Sequence, residues 1–305
     1  MRQKAIILVV ALLGAAVIAQ AQPAPQVHRI GVLLHNGAPP GLFEAFREGL
    51  HELGYVEGEN LTLELRNAAG KNERLSALAD ELLRLKVDVI LAVNTPAAQA
   101  AKKATARVPV VITRIGDPVS AGLVASLAHP GGNVTGLSFM HTEFSAKRIE
   151  LLREILPGLT RVVGLLNADN PSHTPQIAEL ERASSQLGLA FLPLPVRDPS
   201  DFPGAFQAAT RARAEALIVL DDTAITQHRG QILTLAATRA LPVVSRYKDF
   251  TEAGGFIAYG PSLPALYRRA AYYVDRILQG ATPADLPVEQ PMKFELVINR
   301  ASREG

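Results

Sequence analysis

Two kinds of hydrophobic pattern alternate along the chain from Arg29 onward. Short runs of branched apolar residues, typical of buried strands, are followed by segments in which apolar residues recur every three or four positions, as on one face of a helix. The strand-like runs of the first half are RIGVLL, LTLELR, DVILAV and VPVVIT, and the helical segments between them are 43–53, 75–85 and 97–105. This alternation predicts βαβ units and a parallel sheet.

The same order of elements returns after residue 160, where the strand-like runs are RVVGLL, LAFLPLPV, ALIVL and LPVVS. Corresponding positions, such as Arg29 and Arg161 or Thr95 and Thr223, lie 128 to 134 residues apart. The near-constant offset predicts two lobes of matching architecture. An amphipathic segment from Leu263 to Leu278 follows the second set of strands, and we expect it to return and pack on the first lobe.

The sequence therefore predicts an α/β fold of two Rossmann-like lobes with parallel sheets. We expect residues 27–138 and 259–281 in lobe 1, and residues 139–258 and 282–305 in lobe 2. The chain would then cross between the lobes near 139, 259 and 283, and three crossings form a hinge.

The N-terminal segment has a pattern of its own. Arg2 and Lys4 precede an uninterrupted apolar run of 15 residues from Ala5 to Ala19, and Ala19-Gln20-Ala21 has the small-x-small form of a signal-peptidase site. We interpret residues 1–21 as a signal peptide, because a membrane-spanning helix needs about 20 apolar residues. A permanent anchor is the alternative. The expected location is the periplasm.

The amino-acid composition excludes several kinds of functional site. The 305 residues include no cysteine, which excludes disulfides, thiolate nucleophiles and cysteine metal sites. The formal net charge of +2 comes from Arg2 and Lys4, so the rest of the chain is balanced and gives no reason to expect a nucleic-acid partner. No hydrolase elbow, phosphate-binding loop, dinucleotide fingerprint or zinc-protease motif is present. We expect no metal, no cofactor and no catalysis.

In open parallel sheets, ligands bind beyond the carboxyl ends of the strands. If the two lobes face each other, their strand-end loops line one cleft. The candidate ligand-binding residues in these loops are His35, Asn36, Asn94, Thr95, Pro96, Ala97 and Asp117 in the first half, and Asn167, Asn170, Asp221 and Tyr247 in the second. Two further aromatic residues near the expected crossings, Phe139 and Tyr259, could stack on a ligand, although core packing is the alternative for Phe139.

Two groups of these candidates suggest a specific contact. With Thr95 as N-cap and Pro96 in the first turn, free backbone N–H groups could hold an anion such as a carboxylate, although Thr-Pro also starts helices that bind nothing. Asp117 and Asp221 could pair with a ligand ammonium, or could simply cap turns. We expect Asp117→Ala to weaken ligand binding with little loss of fold.

Several motifs, occurring in order, give the sequence a specific resemblance. They are GLHELGYVEGE at 49–59, the run 94–98, GDPVSAGLVASLAHPGGNVTG at 116–136, KRIELLREIL at 147–156 and PVEQPMKFELVIN at 287–299. Together they resemble the substrate-binding proteins of ABC transporters in the tryptophan/tyrosine-binding group, over nearly all of 27–300. The resemblance implies a type I periplasmic-binding-protein-like fold, with three strands joining the lobes and an amino acid or similar solute between them.

In that family the cleft loops match His35-Asn36, Thr95-Pro96-Ala97, Asp117, Asn167 and Asp221 of this sequence. The resemblance implies a monomeric, non-catalytic protein that closes on an amino-acid-like or small organic acid ligand and delivers it to an ABC permease in the inner membrane. Two alternatives remain: a sensor module that feeds a membrane signalling partner, and a hydrolase or isomerase on the same fold.

Overall fold

The computed structural model describes residues 27–35, 37, 41–139, 141–170 and 173–299. The expected signal peptide at 1–21 and the candidate Asn36 lie outside these residues. The strands are β1 (His28–Leu34), β2 (Leu61–Asn67), β3 (Val89–Val93), β4 (Val110–Ile115), β5 (Val134–Ser138), β6 (Arg161–Asn167), β7 (Ala190–Val196), β8 (Ala216–Val219), β9 (Val243–Ser245), β10 (Ile257–Pro261) and β11 (Phe294–Ile298).

Helices separate most of these strands, as the hydrophobic periodicity predicts. They are α1 (Leu42–Glu52), α2 (Leu75–Arg84), α3 (Thr95–Ala104), α4 (His141–Ile155), α5 (His173–Gln186), α6 (Phe202–Arg211), α7 (Thr223–Thr226), α8 (Arg229–Ala237), α9 (Lys248–Glu252) and α10 (Leu263–Leu278). None of the helices in the described part of the chain combines the length and the apolar character needed to span a bilayer.

The strands form two sheets, one in each lobe. The first has the order β2-β1-β3-β4-β5 and is parallel throughout, and the second has the order β11-β10-β9-β8-β6-β7. Apolar clusters cover both faces of each sheet, which is why strands such as β3 are buried along their whole length. The predicted two-lobe α/β fold is confirmed. Strand β11, antiparallel to β10, is the exception to the parallel arrangement.

Helix α10 packs on lobe 1, as its late position and amphipathic pattern predict. Its Tyr267 and Tyr273 are buried in the core beneath the first sheet. The hydroxyl of Tyr55, after α1, donates a hydrogen bond of 3.0 Å to the Asp275 carboxylate, and Tyr273 donates one to the carbonyl of Pro287. The second half of the chain therefore contributes directly to the core of lobe 1.

The last crossing lies later in the chain than residue 283. Residues 286–289 run beside the outer edge of β5, where the N–H of Glu289 donates to the Gly136 carbonyl at 2.9 Å and Val288 enters the lobe 1 core. These contacts satisfy backbone groups that the edge strand would otherwise leave open. The chain passes to lobe 2 between Glu289 and Phe294, and residues 286–289, expected in lobe 2, contact lobe 1.

Candidate functional site

A cavity of about 580 Å³ lies between the lobes, at the carboxyl ends of strands from both sheets. Its volume falls in the range of small-molecule sites. The lining residues include Gly37, Leu42 and Arg114 from lobe 1, Leu263 and Pro264 from the start of α10, and Asp221, Arg246, Tyr247, Ala258, Glu295 and Val297 from lobe 2. A smaller depression on lobe 1, around Tyr55, has no residue from lobe 2.

Asp221, Arg246 and Tyr247 form the lobe 2 wall of this cavity. Asp221 follows β8, while Arg246 and Tyr247 follow β9, so neighbouring strands bring them together. The Tyr247 hydroxyl donates to Asp221 Oδ2 at 3.0 Å, and Arg246 Nη1 lies 3.8 Å from the same oxygen. The Arg246 side chain is only 1% exposed, and none of its three nitrogens has a hydrogen-bond partner in the described part of the chain.

The close approach of Arg246 to β10 depends on Gly260. A Cβ at that position would lie 2.6 Å from both the Cγ and the carbonyl oxygen of Arg246. The guanidinium carbon of Arg246 then stands 5.6 Å from the Phe139 ring centroid and 5.9 Å from that of Tyr247. Both distances are in the range of cation–π contacts, which stabilise a desolvated cation.

Arg114 reaches the cavity from lobe 1 through an irregularity in β4. The pairing of β4 with β5 shifts register between Ile112 and Ile115, and Arg114 has a φ of 60°, in the left-handed region. Bulges of this kind redirect a side chain out of the regular sheet alternation. The Arg114 guanidinium carbon lies 5.8 Å from the Tyr247 ring centroid, so the two lobes meet at this contact.

A third arginine stands behind this wall. Arg148 of α4 is fully buried; its Nε donates to the Phe144 carbonyl and its Nη2 to Ser145 Oγ, while Nη1 has no hydrogen-bond partner in the described residues. Burial, followed by the nearby charge of Arg246, lowers the pKa of Arg148, and Asp221 acts in the opposite direction. Arg148 is thus a buried guanidinium with one cation, Arg246, and one acid, Asp221, near it.

The charges at the cavity also set the state of its hydroxyls. Burial and then the charge of Asp221 raise the pKa of Tyr247, so its hydroxyl stays protonated and donates to that carboxylate. Burial acts to lower the pKa of Arg114, but the facing Tyr247, Tyr267 and Asp221 outweigh it and raise that pKa. Arg114 therefore remains a cation within the cleft.

Of the residues that the sequence singled out, the structure places two in the lining of this cavity, Asp221 and Tyr247. Phe139 is buried next to them, with its ring centroid 6.4 Å from that of Tyr247 and 5.6 Å from the guanidinium carbon of Arg246. Asn167 and Asn170 lie one step away, where both amide groups donate to the carboxylate of Asp222. They hold the loop after β8 without lining the cavity.

The other candidates have different environments. Asp117 is exposed and accepts hydrogen bonds from the N–H groups of Val119 and Ser120 and from the Ser120 hydroxyl, within its own turn. Tyr259 points to the opposite side of β10, where its ring contacts those of Phe144 and Phe294. Neither residue lines the cavity.

The loop at 94–97 and His35 also lie outside the lining. The N-cap of α3 is Asn94, not Thr95 as expected: Asn94 has a φ of 75°, and its carbonyl accepts the first helical hydrogen bond, from Ala98. Thr95 and Pro96 are half-buried and Ala97 is buried. His35 follows β1 and accepts a backbone hydrogen bond from Gly70.

Sequence reasoning missed the arginines. One signal was present, because Arg114 interrupts the otherwise apolar run VVITRI and Arg246 directly follows VVS at the end of a buried strand. A charged residue in such a position is buried at the end of a strand or redirected by a bulge. Arg148 has no comparable signal, since it lies on a helix among other charged residues.

The described residues contain no group of acidic and histidine side chains that could hold a metal ion. Two facing α/β lobes, with a cavity lined by both, define a solute-binding protein. The chain belongs to the ABC transporter substrate-binding protein family, whose model matches residues 30–304.

Similar proteins include a tyrosine-binding protein of Clostridioides difficile, 26% identical over 257 residues, which are 84% of this chain and 73% of that protein. Among solved structures, an ABC domain from Streptococcus pneumoniae in complex with L-Trp has 25% identity and a TM-score of 0.82, covering 91% of this chain and 93% of that one. The ligand-free, open structure of a substrate-binding protein with adhesive properties from Clostridium difficile also has 25% identity, with a TM-score of 0.73, covering 90% of this chain and 93% of that one.

Proposed function

We propose that this protein captures an amino-acid-like or small organic acid solute in the periplasm and presents it to the permease of an ABC importer. The observation that carries the proposal is the cavity between the lobes, because residues from both lobes line it. Each lobe alone offers only part of the contacts. A solute that fills the cavity therefore favours the closed arrangement through its differential affinity for it.

The contact of Arg114 with Tyr247 across the cleft is a feature of such a closed arrangement. The higher TM-score with the L-Trp complex than with the ligand-free, open structure agrees with it. The ring of Tyr247 and the side chains of Leu42, Leu263 and Pro264 in the lining suit a ligand with an apolar or aromatic body, and the similar proteins include a tyrosine-binding protein and one in complex with L-Trp. Release to the permease follows when the lobes separate.

Native mass spectrometry of protein purified without denaturation tests this function. We expect a carried compound of the size of an amino acid, and calorimetry with that compound should show binding to a single site. The compound should be recovered unchanged after prolonged incubation, and chemical conversion of it would favour the enzyme alternative. A protein that carries nothing, and binds none of a panel of amino acids and organic acids, contradicts the proposal.

Delivery to a permease needs a separate test. Proteoliposomes that contain an ABC permease and ATPase from the same organism should take up the identified solute only when this protein is added. A Tyr247→Ala variant, which removes part of the cavity wall, should support less uptake at the same solute concentration. Uptake that is independent of this protein would contradict the transport role.

A further inference from the structure

Resting on the proposed function, we propose that the solute is an organic anion without an ammonium group, and that Arg114 and Arg246 bind its carboxylate from opposite lobes. The cavity has room for both the acid group and an apolar body. Two features of the cleft predict this class of ligand: the distribution of charge, and hydrogen-bond donors that have no partner in the described residues.

Arg246 is the first observation. A guanidinium has five N–H donors, and burying them without acceptors is costly. Here the side chain is 1% exposed and its Nε, Nη1 and Nη2 lack hydrogen-bond partners among the described residues. Asp221 is too far, at 3.8 Å, to accept a hydrogen bond from it, and already accepts one from Tyr247. The donors of Arg246 are therefore available for an acceptor in the cavity.

Arg114 provides an independent observation on the other lobe. Its Nε also has no hydrogen-bond partner in the described residues, and a backbone bulge in β4 directs the residue into the cavity. Arg114 has a φ of 60°, in the left-handed region, which residues other than glycine adopt uncommonly. The guanidinium carbons of Arg114 and Arg246 lie 5.8 and 5.9 Å from the centroid of the same Tyr247 ring, and both residues line the cavity, so each lobe offers a guanidinium to an anion bound there.

The charges nearest to the two guanidinium groups favour an anion over a zwitterion. Within the described residues, Asp221 is the one acid within 4 Å of any of the three guanidinium groups of Arg114, Arg148 and Arg246. A carboxylate added here compensates the positive charge of Arg114 and Arg246, whereas an ammonium added beside it meets repulsion from both.

The other charged residues of the lining are all less buried than Arg246. Lys248 pairs with Glu252 at 3.3 Å, and Asp249 accepts a backbone hydrogen bond from Phe250. Arg229 is exposed and Glu295 is half-buried. Water screens charges at such positions far more than at the buried Arg246.

Three matched series of compounds test the inference by calorimetry. Each series contains an amino acid, its deamino acid, the amide of that acid and the corresponding amine: tyrosine with phloretate, phloretamide and tyramine, and the equivalents for tryptophan and leucine. We expect the deamino acid of at least one series to bind at least tenfold more tightly than its amino acid and its amide, and the amine not to bind. A hydrogen bond between charged groups changes affinity by about tenfold or more.

Variants distinguish ligand contact from a general structural role. In Arg246→Gln and Arg114→Gln, affinity for the acid should fall about 10-fold to 100-fold, and the ratio between acid and amide should fall toward one. A residue that only supports the fold would weaken acid and amide equally. Arg211→Gln is the matched control, because Arg211 is exposed at the end of α6, and it should leave both affinities unchanged.

The outcomes separate this inference from the proposed function. A zwitterion or amine that binds more tightly than its deamino acid, or that is the compound carried by the purified protein, overturns the inference and leaves a solute-binding protein. Equal affinities for the acid and its amide would also overturn the inference and leave a solute-binding protein. If no compound of any series binds and the purified protein carries nothing, both the inference and the proposed function are wrong.

Discussion

At the residue scale, the arginines decide the character of the cleft. Arg246 and Arg148 are buried, and each has at least one guanidinium nitrogen without a hydrogen-bond partner in the described residues. Natural proteins rarely leave buried polar groups unsatisfied unless a ligand or water completes them. The planar guanidinium of arginine matches the shape and charge of a carboxylate better than the ammonium group of lysine does. A pair of arginines therefore favours a carboxylate ligand.

Asp117 gives a prediction at the same scale. Its oxygens accept three hydrogen bonds within the turn at 117–120, so Asp117→Ala should lower the free energy of unfolding by about 1 kcal/mol and change ligand affinity less than threefold. Denaturant unfolding and calorimetry measure the two effects. This outcome is the opposite of that expected from the sequence, and a tenfold loss of affinity would restore Asp117 to the site.

The pH dependence of that effect has a definite sign. Burial acts to raise the pKa of Asp117, but the hydrogen bonds from Ser120 and Val119 outweigh it and lower the pKa. A lowered pKa in the folded state adds stability above the unfolded value of about 3.9, and this stability is lost as the pH falls below that value. The stability difference between the natural chain and Asp117→Ala should therefore be constant from pH 7 to 5 and shrink below pH 4.

How far individual residues could be predicted depends on whether their role is local. Asp221 and Tyr247 follow recognisable buried strands, and a residue in that position lies at the carboxyl edge of the sheet whatever the rest of the chain does. Asp117 occupies the same kind of position, but its own turn uses its carboxylate. The sequence pattern cannot distinguish these two outcomes, because both begin with an acid after a strand.

At the element scale, the irregular end of β4 links the sheet to the site. Gly136 of β5 faces Ile112 of β4, where a Cβ would lie 2.3 Å from the Ile112 carbonyl oxygen. Gly136 also has a φ of 136°, which side chains rarely adopt. The two strands can thus approach closely at the residue where the register shift begins, and this arrangement directs Arg114 into the cleft.

Gly136→Ala tests this dependence. We expect a loss of about 1–3 kcal/mol in the free energy of unfolding, because a methyl group must displace backbone atoms. Ligand affinity should also fall, since Arg114 moves with the strand. Gly204→Ala is the control: that glycine lies in α6 with nothing within 4 Å of an added Cβ, so this variant should be slightly more stable. Equal stability of the two variants in chemical denaturation would contradict the close approach.

At the scale of the whole molecule, closure depends on contacts that neither lobe makes alone. Tyr247 belongs to lobe 2, yet it packs against the apolar core of lobe 1 and lies under Arg114. Its hydroxyl donates a hydrogen bond to Asp221 of lobe 2. Ring and hydroxyl therefore have separable roles, one between the lobes and one within a lobe.

Small-angle scattering with two variants separates these roles. The natural protein should become more compact when the ligand is added. Tyr247→Ala, which loses the contact between the lobes, should stay expanded at ligand concentrations that close the natural protein and should bind at least tenfold more weakly. Tyr247→Phe keeps the ring and should still close. An alanine variant that closes at the same ligand concentration would show that the ring has no part in closure.

The sequence by itself determined the two α/β lobes, their internal correspondence and the return of α10 to lobe 1, because hydrophobic periodicity is a local property that reports which faces of each element are buried. Only the tertiary structure decided that β11 is antiparallel, that residues 286–289 pair with the edge of β5, and that Arg114 and Arg246 meet at Tyr247. These features depend on which elements become neighbours and on a bulge in one strand. Both depend on packing and charge interactions between residues that are far apart in the chain, so a local sequence pattern does not predict them.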